Sequence, residues 1–213
     1  MYTKHKWKSE KFFNFGYVKY LPKDYDENKK YPLVLFLHGA GERGDDLDHA
    51  MRHGYMKYVR EEGKEYPFIF VAPQCPNGKY WGCYTESLLA FFDYITETLP
   101  VDKDRVYLTG LSMGGTGTWM LAMADPNRFA AIAPICGSGI VWNAGSIAKI
   151  PIYVYHGDCD DIVPIYESIT MVKNVNKNGG KAQMKICYGV GHNAWDHAYT
   201  DDSLLEWLLS QHK

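Results

Sequence analysis

The chain is 213 residues long, 46% hydrophobic and 23% charged, a composition that builds a packed core and excludes a disordered or low-complexity protein. Its 23 Lys and Arg against 25 Asp and Glu leave a formal charge of −2, so no strong field favours nucleic acid or an anionic membrane. The length is that of one domain, and residues 1–213 read as a single domain without repeat or linker.

At the start, Met1-Tyr-Thr-Lys-His-Lys-Trp7 carries basic residues with no apolar stretch behind them. No secretion leader is expected there, and a cytoplasmic protein is the expectation, or a secreted one if a leader has been removed. Residues 12–21 alternate aromatic and polar side chains and predict a half-exposed first strand. Leu33-Val-Leu-Phe-Leu-His38 is a continuous apolar run, as a strand buried on both faces requires. A second such run covers residues 68–72. Residues 85–99 place Leu88, Leu89, Phe92, Ile95 and Leu99 on one helical face. Further strands are predicted over 105–110, 130–136, 152–156 and 184–188, with helices over 114–124, 165–176 and 202–211, the last capped by Asp201 or Asp202. No apolar run reaches the roughly 18–20 residues of a membrane span. Strand and helix alternate, which predicts an α/β fold with a mostly parallel sheet and helices on both faces.

In such sheets the working residues gather at the carboxyl ends of the strands. The strand over 105–110 runs into Gly110-Leu-Ser-Met-Gly114 and then a helix. This is a G-x-S-x-G turn in the strand–turn–helix setting that exposes a serine hydroxyl, and Ser112 is the candidate nucleophile. The run ending at His38 continues as Gly-Ala-Gly41-Glu-Arg-Gly44. An acyl-transfer site needs two N–H donors where an oxyanion forms. Ala40, with Gly41 as reserve, and Met113 are the candidates. His38 is expected to be a structural residue beneath this loop. Glu42 and Arg43 are read as substrate contacts or as an ion pair.

After the strand over 152–156 come Asp158, Asp160 and Asp161. One of them is expected to hold the tautomer of a catalytic histidine, with Asp160 preferred. After the strand over 184–188, Gly189-Val-Gly191-His192 places His192 past a glycine turn, the best position for a general base among eight histidines. His197 is five residues on, outside that role and at the wrong spacing for a zinc pair. No calcium loop and no phosphate-binding glycine pattern is present.

The order Ser112, Asp160, His192 is that of the α/β-hydrolases. The chain resembles their compact carboxylesterases, related to the phospholipase/carboxylesterase and feruloyl-esterase-like groups and to peptidases of prolyl-oligopeptidase type. The matching segments are Leu37-His-Gly-Ala-Gly-Glu-Arg-Gly44, Ala72-Pro-Gln-Cys75, Leu108-Thr-Gly-Leu-Ser-Met-Gly-Gly115, Ala133-Pro-Ile-Cys-Gly137, residues 156–164 and Gly191-His-Asn-Ala-Trp195. The resemblance implies an α/β-hydrolase fold and serine esterase chemistry. It also favours Asp160 as the acid, because that acid lies four residues after the histidine of His156-Gly157. The expected activity is hydrolysis of small soluble or aryl carboxylic esters through an acyl-enzyme, including acetyl or feruloyl esters of plant polysaccharide. A serine peptidase and an acyltransferase are the alternatives.

The connection over residues 137–149 is too short for a lid domain, so an open site is expected. Trp81, Trp142 and Trp195 are candidate aromatic walls for a small-molecule ester. No cofactor, metal, nucleic acid or membrane partner is expected. Five cysteines at irregular spacing predict free buried thiols, with Cys75 and Cys83 the one pair near enough in sequence to bridge.

Overall fold

The computed structural model describes residues 1–213, and its centre is one eight-stranded sheet in the order β1-β2-β4-β3-β5-β6-β7-β8. The strands are β1 (Tyr2–Lys6), β2 (Gly16–Tyr20), β3 (Tyr31–Leu37), β4 (Ile69–Pro73), β5 (Val101–Leu111), β6 (Ala131–Ile135), β7 (Tyr153–Gly157) and β8 (Gln183–Cys187). Strands β1 and β2 pair antiparallel, as do β2 and β4, and every other neighbouring pair is parallel. The helices are α1 (Tyr55–Glu62), α2 (Thr85–Thr98), α3 (Met113–Ala124), α4 (Tyr166–Lys177), α5 (Trp195–Thr200) and α6 (Asp202–Ser210).

Strand β3 shows why the sheet is covered on both sides. Leu33, Leu35 and Leu37 point into the layer formed with Phe91 and Phe92 of α2, Trp119 of α3 and Met171 of α4. Val34 and Phe36, one residue out of step, point into the opposite layer with Tyr55 and Met56 of α1, Tyr199 of α5 and Leu204 of α6. Alternate residues facing opposite layers, all of them apolar, give the unbroken run seen in the sequence. Helix α6 begins at Asp201, whose carboxylate accepts from the Ser203 N–H at 3.0 Å and from the Tyr155 hydroxyl at 2.8 Å. The cap therefore also ties α6 to the sheet.

The first strand differs from its expectation. Over residues 12–21 only Gly16–Tyr20 is strand, and Tyr17, Val18 and Tyr20 are buried. The exposed strand is β1, which lies outside β2 as the edge. All five cysteines are free. Cys75, Cys136 and Cys187 are buried as expected, but Cys83 and Cys159 are exposed. No helix is long and apolar enough to cross a membrane.

The register aligns the strand ends into one rim. Leu37 lies opposite Gly110, Leu111 opposite Ile135, and Gly157 opposite Cys187. The loops starting at residues 38, 112, 136, 158 and 188 therefore leave the sheet at one level.

Candidate active site

Ser112 follows β5 with φ 53°, ψ −116° and precedes α3. This is left-handed backbone that a non-glycine residue adopts at a cost of order 1–3 kcal/mol. The surroundings enforce it. The Ser112 N–H donates to the Ile135 carbonyl at 2.9 Å, and its own carbonyl accepts from Thr116 at 3.0 Å. A Cβ at Gly114 would collide with the Leu37 carbonyl, and one at Gly110 would lie 2.5 Å from the Gly114 carbonyl oxygen. The two glycines of G-x-S-x-G thus let α3 start directly against the end of β3.

Around this turn the structure brings three predicted residues together. His192 Nε2 lies 2.8 Å from Ser112 Oγ, and His192 Nδ1 lies 2.7 Å from Asp160 Oδ2. The other carboxylate oxygen, Oδ1, accepts from the Ile162 N–H at 3.0 Å and the Val163 N–H at 2.9 Å. Burial raises the Asp160 pKa, but the bonds from His192, Val163 and Ile162 outweigh it and hold the group below the ordinary carboxylate range. An ionised Asp160 fixes the proton of His192 on Nδ1 and leaves Nε2 to accept from the serine hydroxyl. Asp158 instead accepts from the Gly189 N–H at 2.7 Å, Asp161 is exposed, and so is His197.

Ala40 opens a short 3-10 turn, Ala40–Glu42, directly after β3, and Met113 is the first residue of α3. First-turn N–H groups have no acceptor within their own helix, and the helix terminus favours negative charge beside it. His38 lies beneath the loop, fully buried. Its Nε2 accepts from the Cys75 N–H and its Nδ1 faces the Gly39 carbonyl, which matches the structural role read from the sequence. Arg43 does not pair with Glu42. It donates to the Ala40 carbonyl at 2.8 Å and the Lys79 carbonyl at 3.1 Å.

The three tryptophans separate. Trp81 is a correction: it is 1% exposed, its Nε1 donates to the His38 carbonyl at 2.9 Å, and its ring stands edge-on to His38. It supports the glycine loop from below and presents no face to a substrate. Trp142 is 86% exposed, in the 3-10 segment Val141–Ile147 that occupies the short connection after β6. Trp195 is half-buried and stands edge-on to His192, with ring centroids 5.3 Å apart.

Some residues at the site were not singled out from the sequence. Ile162 and Tyr166, in and just after the acid loop, are exposed apolar side chains. His156, fully buried, has Nε2 3.1 Å from Asp160 Oδ2 and 2.8 Å from the Val163 carbonyl, and supports the acid from behind. Cys136 carries the other positive φ of a non-glycine residue, 40°. Donor atoms of Cys136, Asp160 and His192 lie within 4.8 Å of one another, but burial pushes the Cys136 thiol up, and a protonated sulfur is a poor metal ligand. Hollows of about 580, 410 and 350 Å³ lie elsewhere and are lined by neither Ser112 nor His192.

Set against known proteins, residues 15–191 match a family model described as "Putative esterase". A solved structure described as "Crystal Structure of a Thermostable Esterase" superposes with a TM-score of 0.88 and 34% identity, over 100% of this chain and 63% of the other. "Probable feruloyl esterase C" of Aspergillus terreus is 29% identical over 169 residues, covering 77% of this chain and 62% of that protein. "Feruloyl esterase C" of Emericella nidulans is 29% identical over 170 residues, with the same coverage of 77% and 62%. The chain thus spans about three fifths of the length of these relatives.

Proposed function

The chain belongs to this esterase family, and on that footing we propose that it is a serine carboxylesterase working through an acyl-enzyme. The observation that carries the reading is the relay from Ser112 Oγ through His192 to Asp160, at 2.8 and 2.7 Å. Ser112 Oγ attacks the ester carbonyl carbon as His192 Nε2 takes its proton. The carbonyl oxygen becomes an oxyanion held by the Ala40 and Met113 N–H groups. His192 returns the proton to the leaving alkoxide as the C–O bond breaks, leaving the acyl group on Ser112. Water enters, loses a proton to His192, and releases the acid in the same way. Asp160 keeps the imidazole oriented and stabilises its charged form. These steps draw on no group beyond the named residues and water.

The exposed indole of Trp142, in the connection that leaves β6 at the same rim of the sheet as the serine, supports small soluble or aryl acyl groups. The names of the relatives support feruloyl esters among the substrates. The free cysteines, two of them exposed, support a reducing compartment as the place of action.

The test is turnover of p-nitrophenyl acetate, methyl ferulate, acetylated xylan and a peptide amide, together with fluorophosphonate labelling. We expect ester turnover, a label on Ser112, and a loss of about 10⁴- to 10⁶-fold in kcat/KM in Ser112→Ala. Turnover of the amide alone, or no label on Ser112, overturns the reading.

A further inference from the structure

Two residues after Ala40, Glu42 has a side chain that is only 9% exposed. It folds back over Gly39, where a Cβ would meet Glu42 Oε2 at 3.0 Å. No N–H or O–H of the protein lies in hydrogen-bonding position to this carboxylate. The group facing it is His53 Nε2, 3.6 Å from Oε1, beyond a hydrogen bond. Of the other charges nearby, Lys57 is tied to Asp196 at 3.1 Å, Arg43 is held by two carbonyls, and Arg52 is exposed. Its oxygens are not sealed from solvent, so water is the donor they meet, and a substrate hydroxyl can take that water's place.

Its neighbours say which part of a substrate comes near. Gly54, with φ 70°, packs against Phe36 so closely that a Cβ would overlap the ring, and this fixes His53 just before α1. The His53 ring lies 5.4 Å from Trp195, and Trp195 lies 5.3 Å from His192. His53 Nδ1 is itself buried without a partner. Glu42, His53, Trp195 and His192 therefore form one continuous wall. On the mechanism above, His192 hands its proton to the departing oxygen, so the wall beside His192 flanks the alcohol half of the ester.

We propose that Glu42 is a specificity-determining residue that accepts a hydrogen bond from a free hydroxyl on the alcohol half of the ester, with Trp195 as the apolar surface beside it. The alcohol this combination takes is polyhydroxylated: its C–H face rests on the aromatic ring and its hydroxyl meets the carboxylate. The proposal rests on the serine esterase reading, and it assigns a substrate half and a residue that the relay alone leaves open.

The experiment measures kcat/KM for a monoacetylated methyl xylopyranoside and for the same ester with its remaining hydroxyls O-methylated. Hydrogen bonds to charged groups imply a preference of about 10- to 100-fold for the hydroxylated ester in the wild type. In Glu42→Gln this ratio falls to about 1–3, whatever the absolute rates. A ratio near 1 in the wild type, or an unchanged ratio in Glu42→Gln, overturns the proposal. The wild-type ratio decides the matter if the variant does not fold. Failure of the underlying reading is distinct, since it appears as no turnover of either ester and no fluorophosphonate label on Ser112.

Discussion

The imidazole of His38 accepts a hydrogen bond from the Cys75 backbone N–H at 3.0 Å, and its other nitrogen lies 2.7 Å from the Gly39 carbonyl. One nitrogen accepts, so the other must donate, and the ring is neutral with its proton on Nδ1. Burial drives its pKa down to about 4. The unfolded chain takes up a proton near pH 6.5, where the folded ring does not. This histidine's contribution is therefore complete above about pH 6.5 and is lost as the pH falls towards 4, a change of about 3 kcal/mol. Urea unfolding at pH 7.5 and 4.5 should show the fall, made shallower in His38→Gln. His53, also lowered by burial, acts in the same direction. The depressed Asp160 adds its loss at lower pH, through the carboxylate range.

Asp160→Asn keeps the shape of the acid and removes its charge. His192 then loses the partner that holds its proton on Nδ1. We expect kcat on p-nitrophenyl acetate to fall by about 10⁴-fold. Thermal unfolding should move little, because an amide oxygen still accepts from Ile162 and Val163. A kcat within about tenfold of wild type would remove Asp160 from the relay.

Gly114→Ala places a methyl group on the Leu37 carbonyl. Neither backbone can retreat without moving α3 or β3, so the cost should reach at least about 3 kcal/mol, the upper end of overpacking. Gly41→Ala meets nothing within 4 Å and should stay within about 0.5 kcal/mol. Chemical denaturation of the pair measures the contrast, and similar values for both would contradict the close approach.

The two tryptophans after β4 and β6 should exchange roles under mutation. Trp81→Phe removes the donor to the His38 carbonyl and leaves a buried gap, for a loss of about 2–3 kcal/mol. Trp142→Ala should leave stability within about 0.5 kcal/mol and raise KM for methyl ferulate. Thermal melts and steady-state kinetics on both variants check this. A stable Trp81→Phe would show the indole bond to be dispensable.

The residues of the relay were legible because each lies just past a strand end marked by glycine, and such breaks are visible without coordinates. The strands before Ser112 and Asp160 are buried, while the strand before His192 is a mostly exposed edge. Strand β3 announced itself through Leu33–Leu37 for the same reason. Strand β1 did not, because Tyr2, Thr3, Lys4 and Lys6 are exposed, and an edge with few buried residues has no apolar period to read. Helix α1 has only eight residues, between Gly54 and Gly63, and its three buried residues, Tyr55, Met56 and Tyr58, are too short a stripe to stand out. Trp81 misled because an aromatic after a strand end looks alike whether it faces solvent or core. What turns it inward is its bond to a backbone carbonyl, and no residue pattern encodes that. Glu42 and His53 are eleven positions apart and meet through Gly54 and Phe36, a relation that exists only in three dimensions.

The contact between Gly114 and the Leu37 carbonyl has a thermal consequence. The amide that follows the serine and the amide beyond β3 come from segments some seventy residues apart, yet they are mounted on one piece of close-packed backbone. They have no hinge between them. Warming should then raise the reaction rate smoothly until the whole sheet melts, and a plot of activity against temperature should break at the calorimetric transition and not before it.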